Sequence, residues 1–593
     1  MAVFAQGNTS YWQQHVDYTM DVVMNVDNFQ YSGSQKLVYT NNSPDTLHQV
    51  FYHLFYNAFQ PGSEMDVRSR TIADPDARVR DRISKLSPQE IGYLKLKNIR
   101  QDGKKIEGKT VGTIYQLKLD QPLLPGQKTT LSLDFDGQVP LQIRRAGRDN
   151  AEGVALSVSQ WYPKLAEYDF EGWHADPYIA REFHGVWGDF DVRITIDKDY
   201  VVGGSGYLQN PEEVGHGYQE NPDHPVKHDG KTLTWHFIAP KVHDFMWAAD
   251  PEYLHDIVQT NDGETTLHFL YKNKPSVIEN WKQLEKDALR LYDFYTSHVG
   301  PYPYDQYSII QGGDGGMEYA MATLVVGDKP YGSLLGTTAH EWAHSWFHMV
   351  LATNESTHPW MDEGFTSYIS TLFMNSIKKE PSAFPFKNYY ASYSKLANSG
   401  EEQPETTHSD RYKTNLNYSV NAYTKGALFL YQLGYLIGED NLSKTLKRYY
   451  REWGFKHPTP NDFIRVAEKV SGAELQWYLT DWIKTTNTID YAIDQVSGEG
   501  AQTKVTLKRI GLMPMPLDIK VEYTDGASEY FYIPLRMMYW SKPEAKNIQS
   551  DWPWTNPTYE LKINRPEAQL KRIEIDPSQR MMDVNRVNNV YQR

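Results

Sequence analysis

The chain contains no cysteine. Disulfides and thiolate metal sites are therefore excluded, and any metal has to be held by His, Asp or Glu. That absence fits an oxidising and a reducing compartment equally well. No run approaches the ~20 apolar residues that a membrane-spanning helix requires, so membrane insertion is not expected. A basic excess is also missing: the net charge of -15 argues against a nucleic-acid surface. Neither an internal repeat nor a low-complexity tract is visible. Aromatic side chains, by contrast, are plentiful, with 42 Tyr and 16 Trp, which suits extensive β structure and aromatic-lined clefts. At 593 residues the chain is too long for one core and implies about three or four domains.

The opening MAVFAQGNTS places an apolar AVFA ahead of a polar stretch. It reads as the tail of a secretory signal peptide behind a start Met, giving a periplasmic or secreted expectation with a cytoplasmic alternative. Up to about Tyr253 the pattern is strand-like, with alternating runs such as DVRITID and KTLTWHFIA between Gly, Pro, Asn and Asp. An antiparallel β domain is expected over residues 1–253, since no βα alternation is present. From about Leu254 helical spacing takes over, as in SVIENWKQLEKDALRLYDFYTSHVG and TKGALFLYQLGYLIG. A mainly helical domain is expected over 254–490. Strands return in KVTLKRI, LDIKVEYTDG and SEYFYIPL, with TDG as a hairpin turn. Residues 491–593 are therefore expected to form a β-sandwich, and the whole a multidomain α+β protein.

The chemistry concentrates in TTAHEWAHSWFHMV. His340 and His344 are four apart, so on a helix they share a face and can reach one ion. Glu341 lies between them, placed to reach a water bound there. Trp342, Ala343, Trp346 and Phe347 make the surroundings apolar, which suits a buried site better than a solvated helix with two ordinary histidines. A catalytic zinc takes three protein ligands and leaves one position open. His348 is a tempting third, but eight helical residues span about 12 Å, too far for bonds of about 2 Å. Glu363 and the adjacent Asp362, in HPWMDEGFTSY, are the better candidates. Upstream, GDGGMEYA crowds glycines around Glu318, just after the strand-like YSIIQ. Alone, that segment reads as a tight turn with a surface glutamate.

HEWAH followed by eighteen residues and then Glu363 resembles the gluzincin aminopeptidases, the family of aminopeptidase N and leukotriene hydrolase. Thermolysin-type endopeptidases place this glutamate one residue farther along. GGMEY, from Gly315 through Gly316 and Met317 to Tyr319, resembles the family's exopeptidase motif Gly-x-Met-Glu-Asn. YTKGA, from Tyr423, resembles the segment supplying its catalytic tyrosine. The order of β domain, thermolysin-like helical catalytic domain and β domain also agrees.

The resemblance favours Glu363 over Asp362 and implies one zinc ion per chain, held by His340, His344 and Glu363. It implies Glu341 as general base, Tyr423 as donor to an oxyanion, and Glu318 as partner of a peptide's free α-amino group. The sequence departs from the family at Tyr319, where Asn is usual. SQWYP resembles a Gln-x-Glu-Pro segment that lines the first subsite; Gln160 matches, while Tyr162 replaces the acid. The expected activity is that of an aminopeptidase acting on peptides with a free N-terminus. A dipeptidyl- or endopeptidase with altered end recognition is the alternative, and a non-catalytic binding scaffold is a third reading.

Overall fold

Alternation of period two runs through the N-terminal strands: His15–Asn25 and Gly188–Asp197 bury every second residue. These and Gln30–Thr40, Lys128–Gln138, Tyr93–Gln101 and Thr232–Val242 belong to one eight-stranded sheet. The pairing is antiparallel except where His15–Asn25 runs parallel to Gly188–Asp197, with Val16 opposite Gly188. The computed structural model describes residues 11–221 and 226–593. MAVFAQGNTS, and with it the signal-peptide reading, lies outside the described residues.

The chain divides into two compact units. The first takes in residues up to 296 together with 301–352 and 455–457. Besides the N-terminal sheets it holds a five-stranded sheet in the order Tyr253–Gln259, Thr266–Lys272, Gln306–Gln311, Ala322–Val325, Gly316–Tyr319. Helical texture was expected from Leu254, yet the first two of these strands precede any long helix. LHDIVQ and TLHFLYK pair residue by residue from Tyr253 opposite Lys272 to Gln259 opposite Thr266, and this ladder decides their state. The first long helix, Pro275–His298, buries Trp281, Leu284, Ala288, Leu291 and Tyr295, one stripe at helical spacing.

The second unit comprises residues 297–300, 353–454 and 458–593. Its helices include Phe365–Ser376, Gly426–Ile437, Glu439–Trp453 and Pro460–Ser471. Beyond them come two antiparallel sheets. One orders Tyr491–Glu499, Gln502–Arg509 and Thr558–Ile563; the other orders Ser528–Ile533, Leu517–Tyr523, Leu570–Ile575 and Val590–Gln592. The turn at Asp525 and Gly526 joins Leu517–Tyr523 to Ser528–Ile533 as a hairpin, with Gly526 at φ +85°. The architecture is α+β, with a β-rich N-terminal part, a helical middle and C-terminal sheets. Among the described residues no helix is long and apolar enough to cross a membrane.

Candidate functional site

The segment carrying HEWAH folds as the helix Tyr331–Ala343, and His344 caps its C-terminal end with helical backbone angles (φ -59°, ψ -20°). Leu334, Leu335, Thr338, Ala339, Glu341, Trp342 and Ala343 are its buried positions. The Trp342 ring stacks on Tyr307 of the neighbouring strand at 4.9 Å, and the Tyr295 hydroxyl donates to the Ala339 carbonyl at 2.6 Å. This packing fixes the helix's rotation, and with it the direction of the residues one turn apart on the opposite stripe. The Nε2 atoms of His340 and His344 face each other at 3.3 Å. Two zinc–nitrogen bonds of about 2.0–2.1 Å at a tetrahedral angle separate their donors by about 3.3–3.4 Å, so the pair fits a shared zinc ion.

Past His344 the helix does not continue. Met349 donates to the His344 carbonyl and Leu351 to the Trp346 carbonyl, both five residues back. Trp346 and Phe347 are both buried, and a widened, irregular turn lets neighbouring bulky rings enter the core together. The eight-residue helical span used above to set His348 aside is therefore absent. His348 is itself buried, its carbonyl bonded to His243 Nε2 at 3.2 Å and its ring edge-on to the His243 ring. Burial pushes its pKa well below the ordinary histidine value.

Glu318 stands on Gly316–Tyr319, the outermost strand of the five-stranded sheet, opposite Thr323 of Ala322–Val325. The strand is thus an edge against which an extended chain can pair. Gly315 takes φ +103°, a conformation that favours glycine. At Gly316 a Cβ would collide with the Glu341 carboxylate, so the bare backbone there admits the glutamate between the two histidines. This close approach is what the glycines in GDGGMEYA accommodate.

The preceding loop is pinned through Asp314, which the sequence reading passed over. Its carboxylate accepts from the Arg145 backbone amide at 2.7 Å and pairs with Arg144 at 3.3 Å and Arg78 at 3.2 Å. Arg145 in turn ion-pairs with Glu182, lies 2.6 Å from the Met317 sulfur and is coupled electrostatically to Glu318. The basic pair in LQIRRAGRDN, set in otherwise buried chain, was the available signal.

Gln160, Tyr162 and Tyr319 are buried together around a residue not foreseen, Asp244. Gln160 Nε2 donates to Asp244 at 3.2 Å, the Tyr162 hydroxyl donates to it at 3.1 Å, and Lys164 pairs with it at 3.2 Å. The Tyr319 hydroxyl donates to Gln160 Oε1 at 3.4 Å. Burial raises the phenol pKa of both Tyr162 and Tyr319 well above the usual value, with Asp244 adding to the effect. The two residues that depart from the family pattern thus belong to one hydrogen-bonded network.

In the second unit Asp362 and Glu363 are buried in a π-helical turn, Trp360–Gly364, that opens the helix Phe365–Ser376. Tyr423 lies in a second π-helical turn, Val420–Lys425, ahead of Gly426–Ile437. The Tyr423 hydroxyl donates to Glu363 Oε1. The two turns meet glycine to glycine. A Cβ on Gly364 would stand 2.5 Å from the Gly426 backbone, and one on Gly426 would stand 2.7 Å from the Trp360 carbonyl oxygen. π-helical turns are rare and occur frequently at functional sites.

The fold is shared with the M1 zinc metallopeptidase of Deinococcus radiodurans, whose crystal structure superposes with a TM-score of 0.54 at 16% identity, covering 79% of this chain and 93% of that one. Residues 296–482 match the peptidase family M1 domain. Leucine aminopeptidase 2 of Chaetomium globosum is 27% identical over 186 residues, 29% of this chain and 30% of that protein. Aminopeptidase N of Streptomyces lividans is 25% identical over 288 residues, 43% of this chain and 32% of that protein. The matched stretches thus span less than a third of these relatives' own length. The stretch that matches the peptidase family M1 domain, residues 296–482, is the one that carries HEWAH, Glu363 and Tyr423.

Proposed function

We propose that the protein is a zinc-dependent aminopeptidase that removes N-terminal residues from peptides. The observation that carries this reading is the arrangement around Glu341. The two flanking histidines present their Nε2 atoms at a zinc-compatible 3.3 Å, and the Glu341 carboxylate fills the space beside Gly316 on an edge strand. His340, His344 and Glu363 are the proposed holders of the ion: two imidazoles and one carboxylate, a set suited to zinc. When bound, zinc supplies Lewis acidity that polarises a scissile carbonyl and acidifies water.

The chain's own groups supply the rest. Glu341 accepts the proton of the attacking water and passes it to the leaving amine. The outer strand pairs with the substrate backbone, and Glu318 holds the α-ammonium by a charge-assisted hydrogen bond that sets the distance from chain end to scissile bond. Tyr423, whose hydroxyl rests on Glu363, is the proposed donor to the developing oxyanion. Gln160, Tyr162 and Tyr319 shape the first subsite through Asp244, and Gly315 and Met317 hold the strand in place.

End recognition separates this reading from a dipeptidyl- or endopeptidase. An aminoacyl anilide with a free amine is expected to be cleaved and its N-acetyl form spared, with Glu318→Ala narrowing that preference. Equal cleavage of both forms would replace the aminopeptidase reading with the endopeptidase one.

A further inference from the structure

Six histidines of the first unit lie near one another: His53, His174, His184, His243, His348 and His457. His184 stands out among them. The residue is only 7% exposed, and neither ring nitrogen has a hydrogen-bond partner. A buried imidazole with two idle nitrogens forfeits the hydrogen bonds it made in water, a cost that calls for a ligand.

Its surroundings supply the rest of a coordination set. Asp169, His174 and His184 each offer one ligand atom, and the three atoms lie within 4.8 Å of one another. His174 Nε2 is 2.8 Å from Asp169 Oδ2, and the rings of His174 and His184 meet edge to face, 5.3 Å apart at 88°. Asp169 is pre-oriented: Tyr168–Asp169 and Gly172–Trp173 form a short hairpin, and Asp169 Oδ1 accepts from the Glu171 amide at 2.8 Å, which turns Oδ2 toward His174. The His174 amide is tied to the Glu167 carbonyl at 2.9 Å. With side-chain exposures of 12% for His174 and 15% for Asp169, the cluster opens to solvent on one side and closes on His184 at the other.

We propose that Asp169, His174 and His184 form a second metal site, taking a zinc-class divalent transition ion. Two imidazole nitrogens and one carboxylate oxygen suit such an ion, whereas calcium and magnesium prefer all-oxygen sets. The site would be structural. Residues 174–187 run without helix or strand between the hairpin and the strand Gly188–Asp197. An ion bridging Asp169 to His184 closes that irregular stretch into a loop and contributes its binding energy to folding. The same stretch carries Glu182, the partner of Arg145 beside Met317. Loading would therefore also steady the backing of the edge strand.

The test uses the full chain with His340→Ala and His344→Ala, which removes the first site without touching the second. After chelation this variant is titrated with Co2+, read by visible absorption and by native mass spectrometry. One equivalent is expected to bind and to raise the melting temperature. Adding Asp169→Asn or His184→Ala is expected to abolish both effects. Asp169→Asn decides the matter alone if His184→Ala fails to fold. No bound ion in the parent variant, or one equivalent surviving Asp169→Asn, overturns the proposal and leaves Asp169 and His174 as a plain ion pair. Peptidase activity is not read, so failure here leaves the aminopeptidase reading standing.

Discussion

Glu341 and Gly316 define each other. The glycine has no Cβ, and the carboxylate uses that room. Gly316→Ala is therefore expected to displace Glu341 and lower kcat by roughly 10–100-fold while His340 and His344 still bind metal, the order expected when a base is moved rather than removed. Steady-state kinetics beside metal content measure this, and unchanged kcat contradicts the close approach. Tyr423→Phe keeps the ring and loses the donor. A fall of about 10²–10³-fold in kcat is expected, on the order of 3–4 kcal/mol of transition-state stabilisation. His340, Glu341 and His344 stood out as candidates because four-residue spacing puts both imidazoles on one helix face, whereas only the family resemblance set Glu363 ahead of Asp362. Asp244 and Asp314 were not, since a single acid in DFMW or GGDGG has no periodic signature, and its partners lie far away in sequence.

At the scale of elements, the crossing of two π-helical turns sets Tyr423 on Glu363. Gly426→Ala places a methyl against the Trp360 carbonyl oxygen and the Gly364 Cα, 2.7 and 2.9 Å away. Overpacking of this kind is expected to cost about 1–3 kcal/mol by thermal or denaturant unfolding, with a loss of turnover larger than that of stability. Gly336 tests the opposite case. It lies inside the helix Tyr331–Ala343, and no described atom comes within 4 Å of a Cβ built there. Gly336→Ala is expected to raise stability by roughly 0.5–1 kcal/mol through helix propensity. Gly336 also precedes His340 by one turn on the same face, so a bulkier side chain there is expected to raise KM. Helical spacing revealed these helices in the sequence, but not where the HEWAH helix stops. Its end at His344 follows from the burial of Trp346 and Phe347 together, a tertiary effect.

At the scale of the whole molecule, buried histidines give the first unit a dependence on pH. His255 and His268 bond to each other at 2.9 Å beneath Tyr218, with the His216 carbonyl and Asp256 nearby. Burial lowers their pKa values to about 3 and about 4. The unfolded chain takes up these protons near pH 6.5 and the folded chain does not. Stability is therefore full above that pH and declines as pH falls toward 4, with a slope of up to ~1.4 kcal/mol per pH unit for each histidine. Urea unfolding of the first unit between pH 7 and pH 4.5 should show it, and His268→Gln should flatten the slope.

The broad architecture was readable from alternation giving way to helical spacing and back again. The parallel pairing of His15–Asn25 with Gly188–Asp197 was not, because strands far apart in sequence leave no mark of their register.

The central claim is that Glu341 is the base of a zinc peptidase. Glu341→Gln, zinc-loaded, should retain the zinc content of the wild-type chain by elemental analysis while hydrolysis of a free-amine aminoacyl anilide falls by about 10²–10⁴-fold. Full zinc with undiminished turnover would contradict the account.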